Sequence, residues 1–175
     1  TVTKTPVDEE ELTDAVLKTL NAAIDEFIAM RACEGAKMRA DVLSRADLIL
    51  ENVSYIEKRS PETVKEYNDK LLERMKDILG DTSVDEARLL TEAAIFADKI
   101  AVAEETVRLR SHIDQLRTML DSDDAIGRKL DFLVQEINRE SNTIGSKAQN
   151  VDIARRVIDI KAEVEKIREQ IQNIE

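Results

Sequence analysis

Residues that break helices are scarce along the whole chain. Among 175 residues there are two prolines, Pro6 and Pro61, and four glycines, at positions 35, 80, 127 and 145. Between them, apolar residues recur at steps of three and four, which is the spacing of one face of an α-helix. The sequence therefore predicts an all-α fold of about six helices, two of them long, arranged as helical hairpins or a bundle with no sheet.

The N-terminal apolar pattern predicts a helix of roughly 48 residues, capped by Thr5 and with Pro6 in its first turn. Because proline disfavours the α conformation of the residue before it, this helix is predicted to end at Ser60–Pro61. A second helix is predicted from there to about Leu79. A helix as long as the first needs a partner along its length. Its apolar positions are Leu12, Val16, Leu20, Ala23, Phe27, Met30, Met38, Val42, Ile49, Val53 and Ile56.

Three further helices are predicted after Gly80, a candidate C-cap. A capping box at Ser83–Glu86 begins the first of them, which is expected to bury Leu89 and Leu90 and to form a hairpin or short bundle with the preceding helix. A polar turn at 121–124 separates the other two. These are expected to bury, respectively, Val107, Ile113, Leu116 and Leu120, and Leu130, Leu133, Val134, Ile137, Ser141 and Ile144.

The last predicted helix carries a heptad seam that alternates steps of four and three. Its members are Ile153, Val157, Ile160, Val164, Ile167, Ile171 and Ile174. This coiled-coil-like stripe is expected to find an antiparallel partner within the subunit and additional contacts between subunits. Two regions are predicted: 1–100, a long-helix and helical-hairpin region, and 101–175, a C-terminal helical domain.

The composition of the chain restricts its predicted cellular location and the kinds of molecule it is expected to bind. No apolar run reaches the ~18 residues of a membrane span, and the opening TVTKTPVDEEE lacks a signal-peptide core. The single cysteine, Cys33, fits a reducing cytoplasm. A net charge of −11 argues against nucleic-acid binding. Between residues 104 and 150, however, seven Lys and Arg oppose nine carboxylates, so that segment is near neutral.

The stretch from Gly127 to Ala148 is rich in side chains that can form specific hydrogen bonds or ion pairs. Two stripes of polar residues lie beside its apolar face. They consist of Gln135, Arg139 and Asn142, and of Glu136, Glu140 and Thr143. Since two amides, two carboxylates, a guanidinium and a hydroxyl fall within about two turns, this helix is predicted to carry a functional site.

The same stretch, GRKLDFLVQEINRESNTIGSKA, resembles the C-terminal region of the YicC/YloC family, together with AEETVRLRSHI upstream and EKIREQIQNIE at the end. FIAMRACEG, Pro61–Leu79 and DEARLLTEA extend the resemblance more weakly. Family members have a further N-terminal α/β domain that opens on a Ser-Met-Thr-Gly-like motif, so the chain resembles the C-terminal part of a longer protein. Ala101 and Ala103 stand where relatives often have Asp and Ser, which loosens the transfer of roles around Glu104.

This resemblance implies a metal-dependent endoribonuclease that cleaves single-stranded RNA by hydrolysis or transfer and contributes to RNA decay and the stress response. It also implies a homo-hexamer and an RNA-decay exonuclease as a partner. Two other interpretations stay open. The chain could be a non-catalytic oligomerisation module, which the heptads and long helices favour, or an adaptor that binds RNA or a decay partner.

The residue inventory fits the implied chemistry. No serine-protease triad order, P-loop, Rossmann glycine signature or Cys-X-X-Cys is present. Carboxylates and imidazole can hold Mn²⁺ or Mg²⁺, and arginine can contact phosphate oxygens. The candidate catalytic residues are His112, Glu136 and Glu140, and the candidate metal ligands are those three with Asp131 and Glu105. The candidate RNA-phosphate contacts are Arg108, Arg128, Arg139 and Lys147, and the candidate base or sugar contacts are Gln135 and Asn142.

Each candidate also has a structural explanation. His112 could be a partly buried helix histidine bonded to neighbouring Arg or Glu side chains. Glu136 and Glu140 could be solvated, with Arg139 offsetting their repulsion. Phe132, the only aromatic residue nearby, is expected to pack, so sequence-specific RNA readout by base stacking is not expected.

The short turn at 121–124 predicts an antiparallel hairpin. His112 lies about nine residues before the turn and Glu136 about twelve after it, so they should lie at comparable heights. Arg108 should be level with Glu140. The sequence therefore predicts one polar patch made by these four residues.

Overall fold

The computed structural model describes residues 9–79, 86–122 and 126–172, and these ranges contain five helices and no strand. The helices are α1 (Glu9–Leu79), α2 (Glu86–Ile100), α3 (Ala103–Leu120), α4 (Gly127–Lys147) and α5 (Val151–Ile171). The predicted all-α class is confirmed. None of these helices combines the length and apolar content needed to cross a bilayer. The proposed caps at Thr5, Gly80 and Ser83, and the last seam residue, Ile174, lie outside the described residues.

The predicted helix end before Pro61 is wrong, because α1 continues through this residue. Proline removes one backbone hydrogen bond to the preceding turn. Side chains bridge that turn: Arg59 contacts Glu62 at 3.1 Å and Glu66 at 2.7 Å, and the Thr63 hydroxyl donates to the Arg59 carbonyl at 3.1 Å. Two predicted helices are therefore one, which accounts for five helices in the described ranges instead of about six.

The chain divides into two compact units, Thr1–Ala40 and Asp41–Glu175, and each is described by itself. In the first unit, α1 leaves a row of large apolar side chains about half exposed. They are Leu12, Val16, Leu17, Leu20, Ile24, Phe27, Ile28 and Met30. The partner predicted for this face is thus not found among the described residues of that unit. No atom lies within 4 Å of the position a Cβ would take at Gly35, so no close packing requires glycine there.

In the second unit, four helices, α1, α3, α4 and α5, contribute residues to one apolar core. Part of α1 runs antiparallel to α3, as the pairs Arg110–Glu57 and Arg117–Asp47 show. The same part of α1 runs antiparallel to α5, since Arg45 pairs with Glu163 and Asn52 with Arg156. The second unit thus joins part of α1 with the C-terminal helices, and the predicted division into regions 1–100 and 101–175 stays a prediction. Residues that α1 contributes to the core are Val42, Ala46, Ile49, Val53 and Ile56.

The heptad stripe of α5 is buried from Ile153 to Ile171, facing the same core. On α4 all six residues predicted to be buried are buried, including Ser141, whose hydroxyl donates to the Ile137 carbonyl. The coiled-coil-like supercoil that the heptads predict stays a prediction.

Two predictions of burial are wrong: Val107 on α3 is 65% exposed and Leu90 on α2 is 70% exposed. On α3 the core face is instead formed by Leu109 and Thr106, with Ile113 and Leu116 as predicted. Val107 lies one position off that three-and-four series, so its side chain points away from the core.

Candidate functional site

The α3–α4 hairpin has the predicted antiparallel register. Near one end, the Lys147 ammonium contacts a Glu105 carboxylate oxygen at 2.6 Å. One turn further, Arg108 Nη1 lies 3.7 Å from Glu140 Oε1. These two pairs fix the height of His112, which therefore faces the middle of α4.

His112, Glu136 and Glu140 form a compact cluster of potential ligands. Each residue offers one ligand atom, and these atoms all lie within 4.8 Å of one another. The two glutamates point toward α3 because buried Ile137 and Ile144 fix the rotation of α4 against the core. Glu140 is buried, and the other two residues are half-buried. The predicted juxtaposition is thus present, while the roles of these residues stay predictions.

His112 has unused bonding capacity. Its Nδ1 atom is buried and has no hydrogen-bond partner among the described residues. Buried polar atoms in native proteins are normally satisfied, so an orphan nitrogen needs an explanation. One imidazole and two carboxylates are a ligand set suited to a divalent cation such as Mn²⁺. The donor set and the orphan nitrogen are therefore compatible with metal binding.

Two guanidinium groups lie at the rim of the cluster. Arg108 is bonded to exposed Glu104 and is 3.7 Å from Glu140, beyond hydrogen-bond distance. Arg139 lies 3.8 Å from Glu136 and its side chain is 75% exposed. Long contacts of this kind leave most of the guanidinium hydrogen-bond donors free for an incoming oxyanion.

Other predicted ligands lie outside the group of three. Glu105 is neutralised by Lys147, which also donates to the Ala101 carbonyl at 2.9 Å. Asp131 accepts a hydrogen bond from Gln135 Nε2 at 2.9 Å. The structure thus engages Lys147 and Gln135 in contacts within the protein, and their predicted contacts with RNA stay predictions.

The outer stripe of α4 forms a shallow depression of about 470 Å³. Residues lining it are Gln135, Asn138, Arg139, Asn142, Thr143 and Ser146. Hydroxyl groups of Thr143 and Ser146 donate to carbonyls of their own helix. The predicted contact residue Asn142 is exposed here.

A second depression, of about 420 Å³, lies on the side of the cluster nearer the α3–α4 turn. Its lining includes His112, Gln115, Met119, Arg128, Lys129 and Phe132. The prediction that Phe132 packs is wrong, because its side chain is 64% exposed. The sequence contained a signal for this: Phe132 lies out of phase with Leu130, Leu133 and Ile137, which form the core face.

The chain is similar in sequence to known proteins, and the match to a family includes the site. A family profile described as "Endoribonuclease YicC-like, C-terminal" matches residues 56–175. A protein of Clostridioides difficile named "Probable endoribonuclease YicC" is 47% identical over 173 residues, covering 96% of this chain. A protein of the same name from Haemophilus influenzae is 37% identical over 171 residues, covering 95%. The aligned chain spans 59% of the length of each relative.

Proposed function

The chain belongs to the YicC-like endoribonuclease family, and we propose that it is the C-terminal part of a metal-dependent endoribonuclease acting on single-stranded RNA. The proposed centre is the cluster of His112, Glu136 and Glu140 between α3 and α4. The family resemblance adds a role in RNA decay under stress to this proposal. The observation that carries it is the convergence of three ligand atoms within 4.8 Å beside the orphan His112 nitrogen.

The cluster residues have distinct parts in the proposed reaction. A divalent ion held by the three side chains would neutralise phosphate charge and activate water. The partly buried setting strengthens the electrostatic attraction between the ligands and a cation. Glu136 and Glu140 are one turn apart on one rigid helix, so their carboxylates are held close together without loop movement.

The rim arginines supply the substrate contacts. Arg108 lies across the cluster from α4 and can direct two donors at the oxygens of a phosphodiester, a geometry for which guanidinium is suited. Arg139, which is more exposed, can contact the next phosphate along α4. Because both arginines approach the two glutamates, they also offset the repulsion between the carboxylates.

Cleavage of labelled single-stranded RNA, with and without Mn²⁺, tests the proposal. We expect the wild-type chain to cut only with the metal, and His112→Ala and Glu136→Gln to abolish cutting while the melting temperature changes little. Calorimetric titration with Mn²⁺ gives a readout that does not depend on activity, and both variants should lose binding. Glu51→Gln, which removes an exposed carboxylate on α1, is the matched control.

Two results would count against this function. The chain spans 59% of the length of its relatives, so the same assay is run on the full-length protein that contains it. If that protein binds Mn²⁺ and RNA but never cuts, the adaptor interpretation is favoured. If both variants melt early and their folded fraction cuts at the normal rate, the cluster residues are structural.

A second candidate function, self-association, is favoured by the apolar surface of the first unit. A single helix does not bury such a row of side chains by itself, and exposed apolar patches of this kind mark interfaces. The family resemblance implies a hexamer. Light scattering after size exclusion should give a multiple of the chain mass, and Leu20→Glu should reduce it. A strictly monomeric mass at micromolar concentration would reject self-association.

A further inference from the structure

The depression beside the cluster combines an exposed aromatic ring with two cations. Phe132 is 64% exposed on α4, and Met119 of α3 lines the same depression. Arg128 and Lys129 are exposed at its rim, and neither forms an ion pair with any described residue. Packing within the described residues explains neither the exposed ring nor the adjacent charges.

His112 belongs to both the cluster and this depression. If the phosphate of one nucleotide lies at the cluster, the neighbouring nucleotide of the same strand therefore lies at the depression. In single-stranded RNA the base of that nucleotide is not held in a duplex, and its flat face can stack on an aromatic ring.

We infer that the depression is a nucleobase subsite, in which one base of single-stranded RNA stacks on Phe132 while the adjoining phosphate lies between Arg128 and Lys129. This inference rests on the proposed function. Met119 would contact the edge of the stacked base, since a thioether is polarisable and favours aromatic neighbours.

The subsite is suited to any base. Stacking on an aromatic ring is tolerant of sequence because every base has a π-face. Gln115 is the one uncharged amide in the lining, and its contact with Ser111 is long, 3.5 Å. Its carboxamide can therefore turn to donate to or accept from different base edges. We expect modest preferences among bases rather than strict selection.

Charge distinguishes this occupant from an apolar protein segment. The chain has a net charge of −11, and these two cations, which form no ion pair with a described carboxylate, lie beside an exposed ring. An apolar segment would gain nothing from Arg128 and Lys129, which it would desolvate at a cost. A nucleotide uses both the ring and the cations, because its base is aromatic and its phosphate is anionic.

The test uses a short single-stranded RNA with 2-aminopurine at one position, whose fluorescence falls when the base stacks. A chelator keeps the RNA intact, so that neither metal nor cleavage enters the signal. We expect the wild-type chain to quench the probe. Phe132→Ala and Phe132→Leu should abolish quenching and raise Kd about fivefold to tenfold.

Two further variants make the measurement specific. Phe132→Trp retains a ring, so quenching and affinity should return. Ile158→Ala removes an apolar side chain of similar exposure, 65%, from α5 and should leave both unchanged. Phe132→Leu separates stacking from apolar contact, because leucine retains much of the apolar area without the ring.

Other outcomes have different meanings. If wild type binds the RNA but leaves the probe bright, or if the Phe132 variants bind equally tightly, the subsite is rejected while the proposed function stands. If Phe132→Ala changes only the mass of the particle, the ring belongs to a protein interface and the subsite is likewise rejected. If wild type binds no RNA in the chelator, the subsite is rejected, and the Mn²⁺-dependent cleavage assay decides the proposed function separately.

Discussion

Two glutamates on opposite sides of the apolar core, the half-buried Glu163 and the buried Glu140, have different surroundings. Glu163 on α5 has a side chain 14% exposed and accepts hydrogen bonds from Lys166 at 2.6 Å and Arg45 at 2.9 Å. Glu140 on α4 is 7% exposed, yet its ion pair with Arg108 is 3.7 Å long. The carboxylate that burial desolvates more therefore has the weaker partner.

The neighbours of these glutamates differ in the same way. On the α1–α5 side, Arg156 donates to Asn52 Oδ1 at 3.1 Å, and its guanidinium carbon lies 4.6 Å from the centre of the Tyr55 ring. On the α3–α4 side, His112 keeps a buried nitrogen without a partner in the described residues. Saturated polar groups stabilise a fold, whereas unsaturated ones retain capacity for a ligand. The difference identifies the α3–α4 side as the candidate site.

The largest expected effect concerns RNA cleavage. Glu140→Gln should lower the rate of Mn²⁺-dependent cleavage by about 100-fold or more. Glu163→Gln should leave it unchanged, although both variants remove one carboxylate charge next to the core. The measurement is single-turnover cleavage of labelled RNA, normalised to folded protein by circular dichroism. If both variants lost the same fraction of the cleavage rate, the α3–α4 side would not be distinguished from the α1–α5 side as the catalytic site.

The stability effect should run the other way. Glu163→Gln replaces the carboxylate that Arg45 and Lys166 share by an uncharged amide with one acceptor oxygen, so the free energy of unfolding should fall by about 1–2 kcal/mol. Glu140→Gln breaks only a long ion pair and should cost less than that. Urea unfolding followed by circular dichroism measures both. A larger loss for Glu140→Gln would mean that the cluster, too, stabilises the fold.

The contribution of Glu163 to the free energy of unfolding should depend on pH. Hydrogen bonds from Lys166 and Arg45 hold the pKa of Glu163 below its usual 4.5. A lowered pKa stabilises the folded state above pH 4.5, and this contribution is lost as the pH falls through the folded-state pKa. The difference in unfolding free energy between wild type and Glu163→Gln should therefore shrink below about pH 4.5. Urea midpoints between pH 7 and pH 3 measure it, and a constant difference would contradict the assignment.

The smallest expected effect concerns the exposed rim. Arg139→Gln should weaken RNA binding a few-fold and reduce the salt dependence, the slope of log K against log salt, by about 0.7. The melting temperature should stay the same, because the side chain is 75% exposed. Arg45→Gln is the control with opposite behaviour, since it should lower stability without changing the salt slope. Fluorescence anisotropy at several salt concentrations separates the two.

Periodicity predicts some parts of the fold well and misses others. The α4 and α5 core faces follow from their three-and-four steps, because each apolar side chain there meets the same core. The predicted break at Pro61 is wrong, because local conformational preference ignores side-chain bridges such as Arg59–Glu66. Val107 is predicted to lie in the core of α3 although it is one position out of phase with Thr106 and Leu109.

The pairing of candidate ligands is predictable for a specific reason. A short turn fixes the register of a hairpin, so the heights of His112 and Glu136 can be counted along the sequence. Counting along the sequence does not predict that Glu105 lies outside the cluster of potential ligands. Its carboxylate is engaged by Lys147 on the facing helix, which is 42 residues later in the chain.

The sequence by itself determined the all-helical class, the core faces of α4 and α5, and the level at which His112 meets two glutamates, because each depends on local spacing. Only the tertiary structure decided which polar groups are saturated. Arg45 and Lys166 saturate Glu163, whereas Glu140 and His112 lack such close partners among the described residues. Whether a polar group finds a hydrogen-bond partner depends on how facing helices are rotated and on how far side chains distant in sequence reach. The spacing of residues along one helix does not contain this information.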